Sequence, residues 1–413
     1  MMTKPVGVPL MGLALALTTG LVLTTAQAAE GQKSFEIFGF AQADYIQDFG
    51  RVNPDWEDTL RPSRIPVADP ELYGSDGQAM VSVKQSRFGV KGNFPTGKGD
   101  IKTVFDFDLF GVGSDAGQTT FRLRNAYGEW GQLLAGQTSS LFMDGDIFPN
   151  TIDYWGPTGM VFLRNPQIRW TPISGANTFA VAIENPGNDI DSGEFRQLDD
   201  FPGVTADQQY PDLTAHYRNK GDWGHVQIAG ILRWIGAEIV SDSDPGPAED
   251  LEVVYDDNDT GWGVDVTTAI NLLEKDAIRL GVVYGEGIAS YMNDGGMDAG
   301  PNQGLLPDGS LPGDTRIEAV PLLGVSAYYD HWWSSKFSSS IGYSLTQVDN
   351  TSGQTPDTYK RGQYASANLL YYPVENVMVG GEYLWGDREN KNGDSNDNNR
   401  VQFSVKFSFG TTL

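Results

Sequence analysis

Arg87, Arg122, Arg124 and Arg169 are the side chains in this sequence best suited to chemistry. Each lies where apolar and polar residues alternate, and each falls on the polar face of its stretch. A guanidinium is planar, permanently charged and carries paired donors that match the two oxygens of a carboxylate. Four of them on one face form a ladder that would receive carboxylates or other small anions. The plainer use is structural, as counter-charge to nearby acids. Lys91, Lys102, Arg218, Arg233, Arg279 and Lys406 fall on the same faces. Against them stand Glu36, Asp44, Asp106, Asp108, Glu184, Asp265 and Glu382. The balance on these faces is modestly basic.

Catalytic arrangements are scarce. There is no Gly-x-Ser-x-Gly, no His-Glu-x-x-His and no phosphate loop. The absence of cysteine removes disulfides, thiolate metal sites and thiol nucleophiles. His216, His225 and His331 are the only imidazoles. Asp330 and His331 adjoin, but beside Trp332 and Trp333 this histidine reads as part of an aromatic belt. Asp242 with Asp244, and Asp256, Asp257 and Asp259, are oxygen-rich clusters without calcium-loop spacing or its terminal Glu. No cofactor and no metal site are implied.

The elements that must position the charged residues are strands. Val401, Phe403, Val405, Phe407 and Phe409 share one face, and Gln402, Ser404, Lys406 and Ser408 the other. A period of two belongs to a β-strand with one apolar and one wet face. The pattern recurs about sixteen times from Phe35 to the end. Phe105, Phe107 and Leu109 oppose Lys102, Asp106 and Asp108; Phe121 and Leu123 oppose Arg122 and Arg124; Ile228, Leu232 and Trp234 oppose Gln227 and Arg233. The first and fourteenth strands have no clear register. Short turns alternate with long connections near 48–78, 112–117, 139–163, 187–209, 237–257, 289–314, 350–357 and 389–397.

After Glu30 no apolar run approaches the ~20 residues of a membrane helix. A hydrophobic share of 39% is low for a soluble core of this size. It suits a barrel whose apolar face needs only lipid. A charge facing mid-membrane lipid costs about 2–4 kcal/mol, which fixes the charged face as the inner one. The fold expected is all-β, a transmembrane antiparallel barrel of sixteen strands. Trp130, Trp332, Trp333, Tyr371, Tyr372 and Phe409 lie next to short turns, and Tyr45, Trp234, Trp262, Tyr284 and Trp385 near long ones. They are expected to form two interfacial girdles. Lys4, an apolar run over 8–22 and Ala26-Gln-Ala28 predict a cleaved signal peptide over residues 1–28, leaving one barrel domain over 29–413. A net charge of −26 excludes nucleic acid as a partner.

Several stretches carry a family resemblance. They are FGFAQADYIQDF at 38–49, RPSRIP at 61–66, QSRFGVKG at 85–92, DFDLFGVG at 106–113, TFRLRNAYGEWG at 120–131, AGQT at 135–138, FPNTIDYWGP at 148–157 and FLRNPQIR at 162–169. As a set they resemble the DcaP-like outer-membrane porins. The resemblance implies a homotrimeric, sixteen-stranded porin favouring dicarboxylates and other anionic solutes. Family members carry an N-terminal coiled-coil extension, which the short stretch 29–34 does not supply.

The third long connection, 139–163, holds Asp144, Asp146, Asp153, Phe148, Tyr154 and Trp155 with Pro149 and Pro157. Aromatics at that density are costly in water. The loop is therefore expected to fold into the lumen and narrow it, its acids facing the arginine ladder. The acidic excess is expected outside, in 237–257 and 289–314, where it suits divalent cations bridging to lipopolysaccharide.

The function expected is passive diffusion of small hydrophilic solutes through the outer membrane of a Gram-negative cell, with anions such as dicarboxylates preferred. Two alternatives differ in kind. An outer-membrane β-barrel hydrolase predicts turnover and little conductance. A secreted soluble glycan-binding β-protein predicts extraction without detergent.

Overall fold

The computed structural model describes residues 33–197, 204–242, 251–273, 275–308 and 312–413, and the expected signal peptide lies outside them. Eighteen hydrogen-bonded segments form one antiparallel sheet. They make sixteen strands, because two strands are interrupted. β1 is Ser34–Asp48. β2 is broken into Gln78–Ser82 and Arg87–Phe94, both paired to β1. Then come β3 Ile101–Phe110, β4 Thr119–Trp130, β5 Leu133–Ser139, β6 Arg164–Ile173 and β7 Asn177–Glu184. β8 is broken into Val204–Asp207 and Asp212–Gly221, both facing β9, Gly224–Asp242. β10 Leu251–Leu272, β11 Asp276–Glu286, β12 Pro321–Trp332 and β13 Phe337–Val348 follow, then β14 Tyr359–Tyr371, β15 Val377–Asn390 and β16 Ser395–Thr412. β16 returns to β1, from Glu36 opposite Thr412 to Asp48 opposite Arg400. The sheet is closed, so every strand has two neighbours and no edge is left for lipid to meet.

The two faces are sorted as the alternation requires. Phe105, Phe121, Ile168, Leu232, Phe403 and Phe407 are each half exposed or more on the outside. Asp106, Asp108, Gln227, Glu382 and Ser404 are buried on the inside. Among the described residues no helix is long and apolar enough to cross a membrane; strands do the crossing.

The inside is not uniformly wet. Four loops, after β1, β5, β7 and β11, fold into the bore and build small apolar clusters there. Val52, Leu60 and Ile65 of the first loop pack on Tyr328, Tyr364 and Leu384 of the wall. Phe142, Met143 and Val161 of the loop after β5 meet Ile288, Tyr291 and Met292 of the loop after β11, over Ala229, Ile231, Val283 and Leu322. A small hairpin, Ala299–Pro301 with Ile317–Ala319, covers Ile235 and Ala237. Apolar burial on the inner face accounts for the unclear registers. β1 puts Ile46, and β14 puts Tyr364 and Leu370, on the inner face and fully buried, so alternation of polarity fails there although alternation of direction holds.

Three expectations are corrected. The acidic stretch 237–257 is mostly not a loop: β9 runs to Asp242 and β10 resumes at Leu251, with 243–250 outside the described residues. Asp257 and Asp259 accept the backbone N–H groups of Ile317 and Ala319 at 2.8 and 2.9 Å. In 289–314, Asp294 and Asp298 are buried against arginines, not displayed outside. Their partners Arg61 and Arg233 lie far away in sequence, where no local pattern links them. Trp332 and Tyr372 are stacked at 5.4 Å, and Tyr372 accepts a hydrogen bond from Asn150 inside the barrel. They face the bore, whereas Trp130, Trp333, Tyr371 and Phe409 stand exposed outside.

Candidate pore-lining site

The loop after β5 is fastened to the inner wall around much of its circumference. Glu184 of β7 accepts Ser140 Oγ and the Leu141 N–H, both at 3.0 Å. Asp144 meets Arg218 of β8 at 3.2 Å, His225 of β9 at 2.7 Å and Thr267 of β10 at 2.7 Å. Asp330 of β12 accepts the Asn150 N–H at 3.3 Å. Glu382 of β15 accepts the Ile152 and Asp153 N–H groups at 2.9 and 2.8 Å. Gly159 N–H donates to Ser344 Oγ of β13 at 2.7 Å. The backbone lies flat on the wall at Gly159, where a Cβ would collide with the carbonyl oxygens of Leu345 and Val325. Gly159→Ala should therefore lift the loop, at a cost of about 1–3 kcal/mol from overpacking. Single-channel conductance should rise and thermal resistance fall; no change in either would mean the loop is not seated there.

Asp144 is an anchor rather than a lumen charge. Burial alone would raise its pKa; the hydrogen bond and charge of His225, then Arg218 and Thr267, outweigh burial and hold it at about 2. A carboxyl depressed below its ordinary 3.8 stabilises the fold above that pH, and the contribution is lost as pH falls through about 2. The stability difference between the wild type and Asp144→Asn, read by thermal unfolding in detergent, should stay level from about pH 5 to about pH 4 and close toward about pH 2. A gap already closed near pH 5 would place the carboxylate outside this pairing. Asp153 is also buried, which pushes its carboxyl up. It accepts the Leu60 and Gly156 N–H groups and the Tyr364 hydroxyl, so it holds two loops to β14. Asp146 is only half-buried and bonds Arg218.

Three of the four ladder arginines come together. Asp108 of β3 accepts Arg122 at 3.0 and 2.5 Å, Arg124 at 2.7 Å and the Tyr154 hydroxyl at 2.9 Å. Asp106 accepts Arg87 and, at 2.6 Å, Asn125. The carboxylates facing the arginines thus belong to the wall, not to the loop as expected. The loop contributes Tyr154, whose oxygen also accepts Arg124 at 2.6 Å. The reason lies in the register: Asp108 stands directly opposite Arg122 across the β3–β4 pairing.

The other basic residues are dispersed. Arg169 donates to the Ser139 carbonyl at 2.6 Å and to Gln167 at 3.0 Å. Lys91 pairs with Glu36 at 3.1 Å and lies 4.5 Å from the Phe38 ring. Lys102 is exposed and stands between Asn93 and Glu129 in register. Arg233 points inward but is fully buried, between Asp212 at 3.1 Å, Asp298 at 2.8 Å and the carbonyls of Gly187 and Gly287. It offers no open donor, because the loops after β7 and β11 close over it.

Beside the loop after β5 lies a cavity of about 950 Å³. Arg61, Arg64, Arg122, Arg124, Arg164, Arg196 and Arg388 line it, against Asp189, Asp191, Asp294 and Asp357. Arg61 is wedged between Trp56 and Trp155, 4.9 and 3.9 Å from the ring centres, and bonds Asp294 at 3.1 Å. Trp155 Nε1 donates to the Asn293 carbonyl at 2.8 Å. Arg61, Arg64, Arg164, Arg196 and Arg388 carry no alternation signal in the sequence that marks them as lining residues. Arg61 and Arg64 fall in RPSRIP and Arg164 in FLRNPQIR, stretches that carry the family resemblance and no geometry.

A closed sixteen-stranded cylinder, apolar outside, ion-paired within and threaded by inward loops, defines an outer-membrane porin. The chain belongs to the DcaP outer membrane protein family, which matches it over residues 61–409. The outer membrane channel DcaP of Acinetobacter baumannii is 21% identical, with a TM-score of 0.75 over 92% of this chain and 99% of that one. The anion-selective porin from Comamonas acidovorans is 9% identical, with a TM-score of 0.54 over 92% and 100% of the two chains. Salmonella typhi OmpF, in complex with daunomycin, is 10% identical, with a TM-score of 0.52 over 91% and 97%. No curated protein matches the chain. The protein is a channel of the Gram-negative outer membrane.

Proposed function

We propose that this channel passes small hydrophilic solutes passively and favours anions, with short dicarboxylates as the expected class. The observation that carries this is a rung in which Arg87, Arg122 and Arg124 share only two carboxylates, Asp106 and Asp108, while Arg164, on the cavity wall with Arg122 and Arg124, pairs with neither. The cavity repeats the imbalance, with seven arginines against four aspartates. Rings of Arg favour anions in a pore, and a narrow bore with low-dielectric walls focuses their field. The net charge of the whole chain, −26, matters less at this point, since charges beyond about a Debye length of ~8–10 Å are screened. The Asp106 and Asp108 pairs keep the arginines from trapping an anion outright, and transit needs attraction weak enough to release. Export on a signal peptide over 1–28, assembly as a homotrimer and contact with lipopolysaccharide complete the reading, the trimer on family grounds alone. No energy input and no catalysis are part of it. Detergent-purified protein in a planar bilayer under a KCl gradient should give a reversal potential of anionic sign. A cationic sign would overturn the preference, and absence of conductance would overturn the channel.

A further inference from the structure

We propose that Arg164 is the contact that receives a solute's carboxylate, a specificity-determining residue that the protein itself leaves open. The inference rests on the anion preference proposed above. Arg164 opens β6. Strict alternation from Asn165, Gln167 and Arg169, which face the bore, would send it outward with Pro166 and Ile168. It lines the cavity instead, its guanidinium 5.0 Å from the Phe162 ring centre. The residue sits where the inward loop joins the strand, and the chain there still follows the loop.

The other arginines of the cavity are mostly engaged. Arg122 and Arg124 are held by Asp108, Arg61 by Asp294 and Arg196 by Asp191. Arg388 donates to the carbonyls of Ser63, Ile65 and Asp357. Arg64 also lacks a side-chain acceptor but is exposed to water; Arg164 has no ion pair and no hydrogen-bond acceptor among the described residues while its Nε is buried and unpartnered. The like charges of Arg124 and Arg87 act on it, and the negative charge of Asp106 answers them only in part. A partly buried guanidinium without a counter-ion is costly, and a bidentate carboxylate relieves that cost with two parallel hydrogen bonds. Four arginines against two aspartates leave room for two further negative charges. A small dianion fits that deficit better than a monoanion.

The test uses the full protein in a planar bilayer with malonate as probe. Malonate should depress the wild-type chloride current in a concentration-dependent way. Arg164→Gln should raise the half-blocking concentration roughly tenfold. Arg164→Lys, which keeps the charge but loses the planar fork, should raise it severalfold, and it serves where the glutamine variant does not fold. Equal block of the wild type and of either folded variant would overturn the assignment while leaving anion preference intact. A wild-type channel that malonate does not affect, with a cationic reversal potential, would remove the reading on which the assignment rests.

Discussion

Replacing Arg122 and Arg124 with alanine should remove most of the channel's anion preference. The pair supplies half the positive charge of the rung, so four arginines over two aspartates become two over two. A unit charge ~8 Å from a passing ion contributes about 0.5 kcal/mol in bulk water, and several times more where the walls lower the effective dielectric. Loss of two such charges should lower the anion-to-cation permeability ratio by roughly tenfold. The reversal potential across a KCl gradient measures this directly. Tyr154 loses its arginine partners in the same variant, so the loop should also loosen at its tip. Adding Asp108→Asn removes the carboxylate left behind and should restore part of the preference. An unchanged reversal potential in the double variant would reduce these arginines to counter-charges for Asp106 and Asp108.

Arg233→Ala should instead damage stability and spare selectivity. Arg233, Asp212 and Asp298 have fully buried side chains, and one guanidinium serves both acids. It also ties the Gly187 and Gly287 carbonyls, at 2.6 and 2.5 Å, so that β9 and two inward loops are held by one group. Removing one partner of a buried pair leaves an uncompensated charge and costs about 3–5 kcal/mol. The variant should unfold at lower temperature or lower urea concentration. Its channels should show more frequent closures as the loop after β11 works free, while the reversal potential of the folded fraction stays at the wild-type value. Wild-type resistance to heat and urea would mean that the carboxylates find other partners or are neutral there. The two variants separate the roles that the polar-face arginines share in the sequence: one set lines the cavity, the other is a fully buried strut.

Much of the fold was legible because lipid and water impose the same rule on every strand. Phe105 and Asp106, Leu123 and Arg124, and Phe403 and Ser404 each fall on opposite faces of the barrel, as their neighbours predict. The rule failed where a third environment intervened. Ile46, Tyr364 and Leu370 face inward, apolar and buried; Tyr364 packs on Val52, Leu60 and Ile65 of the first loop, and Leu370 on Ile152 of the loop after β5. Trp332 and Tyr372 stand near turns as girdle residues do, yet Trp332 continues the inward parity of Tyr328 and Asp330, and Tyr372 that of Asn368 and Leu370, so both face the bore and stack there.

The candidate site was legible in its residue types more than in its contacts. Arg87, Arg122 and Arg124 could be placed on the polar face by counting. The carboxylates they meet could not, because pairing between β3 and β4 depends on a register that two bulges shift. Arg164 was missed because parity ends where a strand meets a loop. Asp294 and Asp298 were read as outer charge because their partners, Arg61 and Arg233, are more than fifty residues away in each case.

By itself, the order of apolar and polar residues determined a closed antiparallel barrel with its charges inside, since a period of two under lipid admits no other arrangement of those charges. The tertiary structure alone decided which of the inward charges meet the open bore. That depends on four loops returning into the cylinder, and loop paths are set by distant hydrogen-bond and ion-pair partners that no local periodicity encodes.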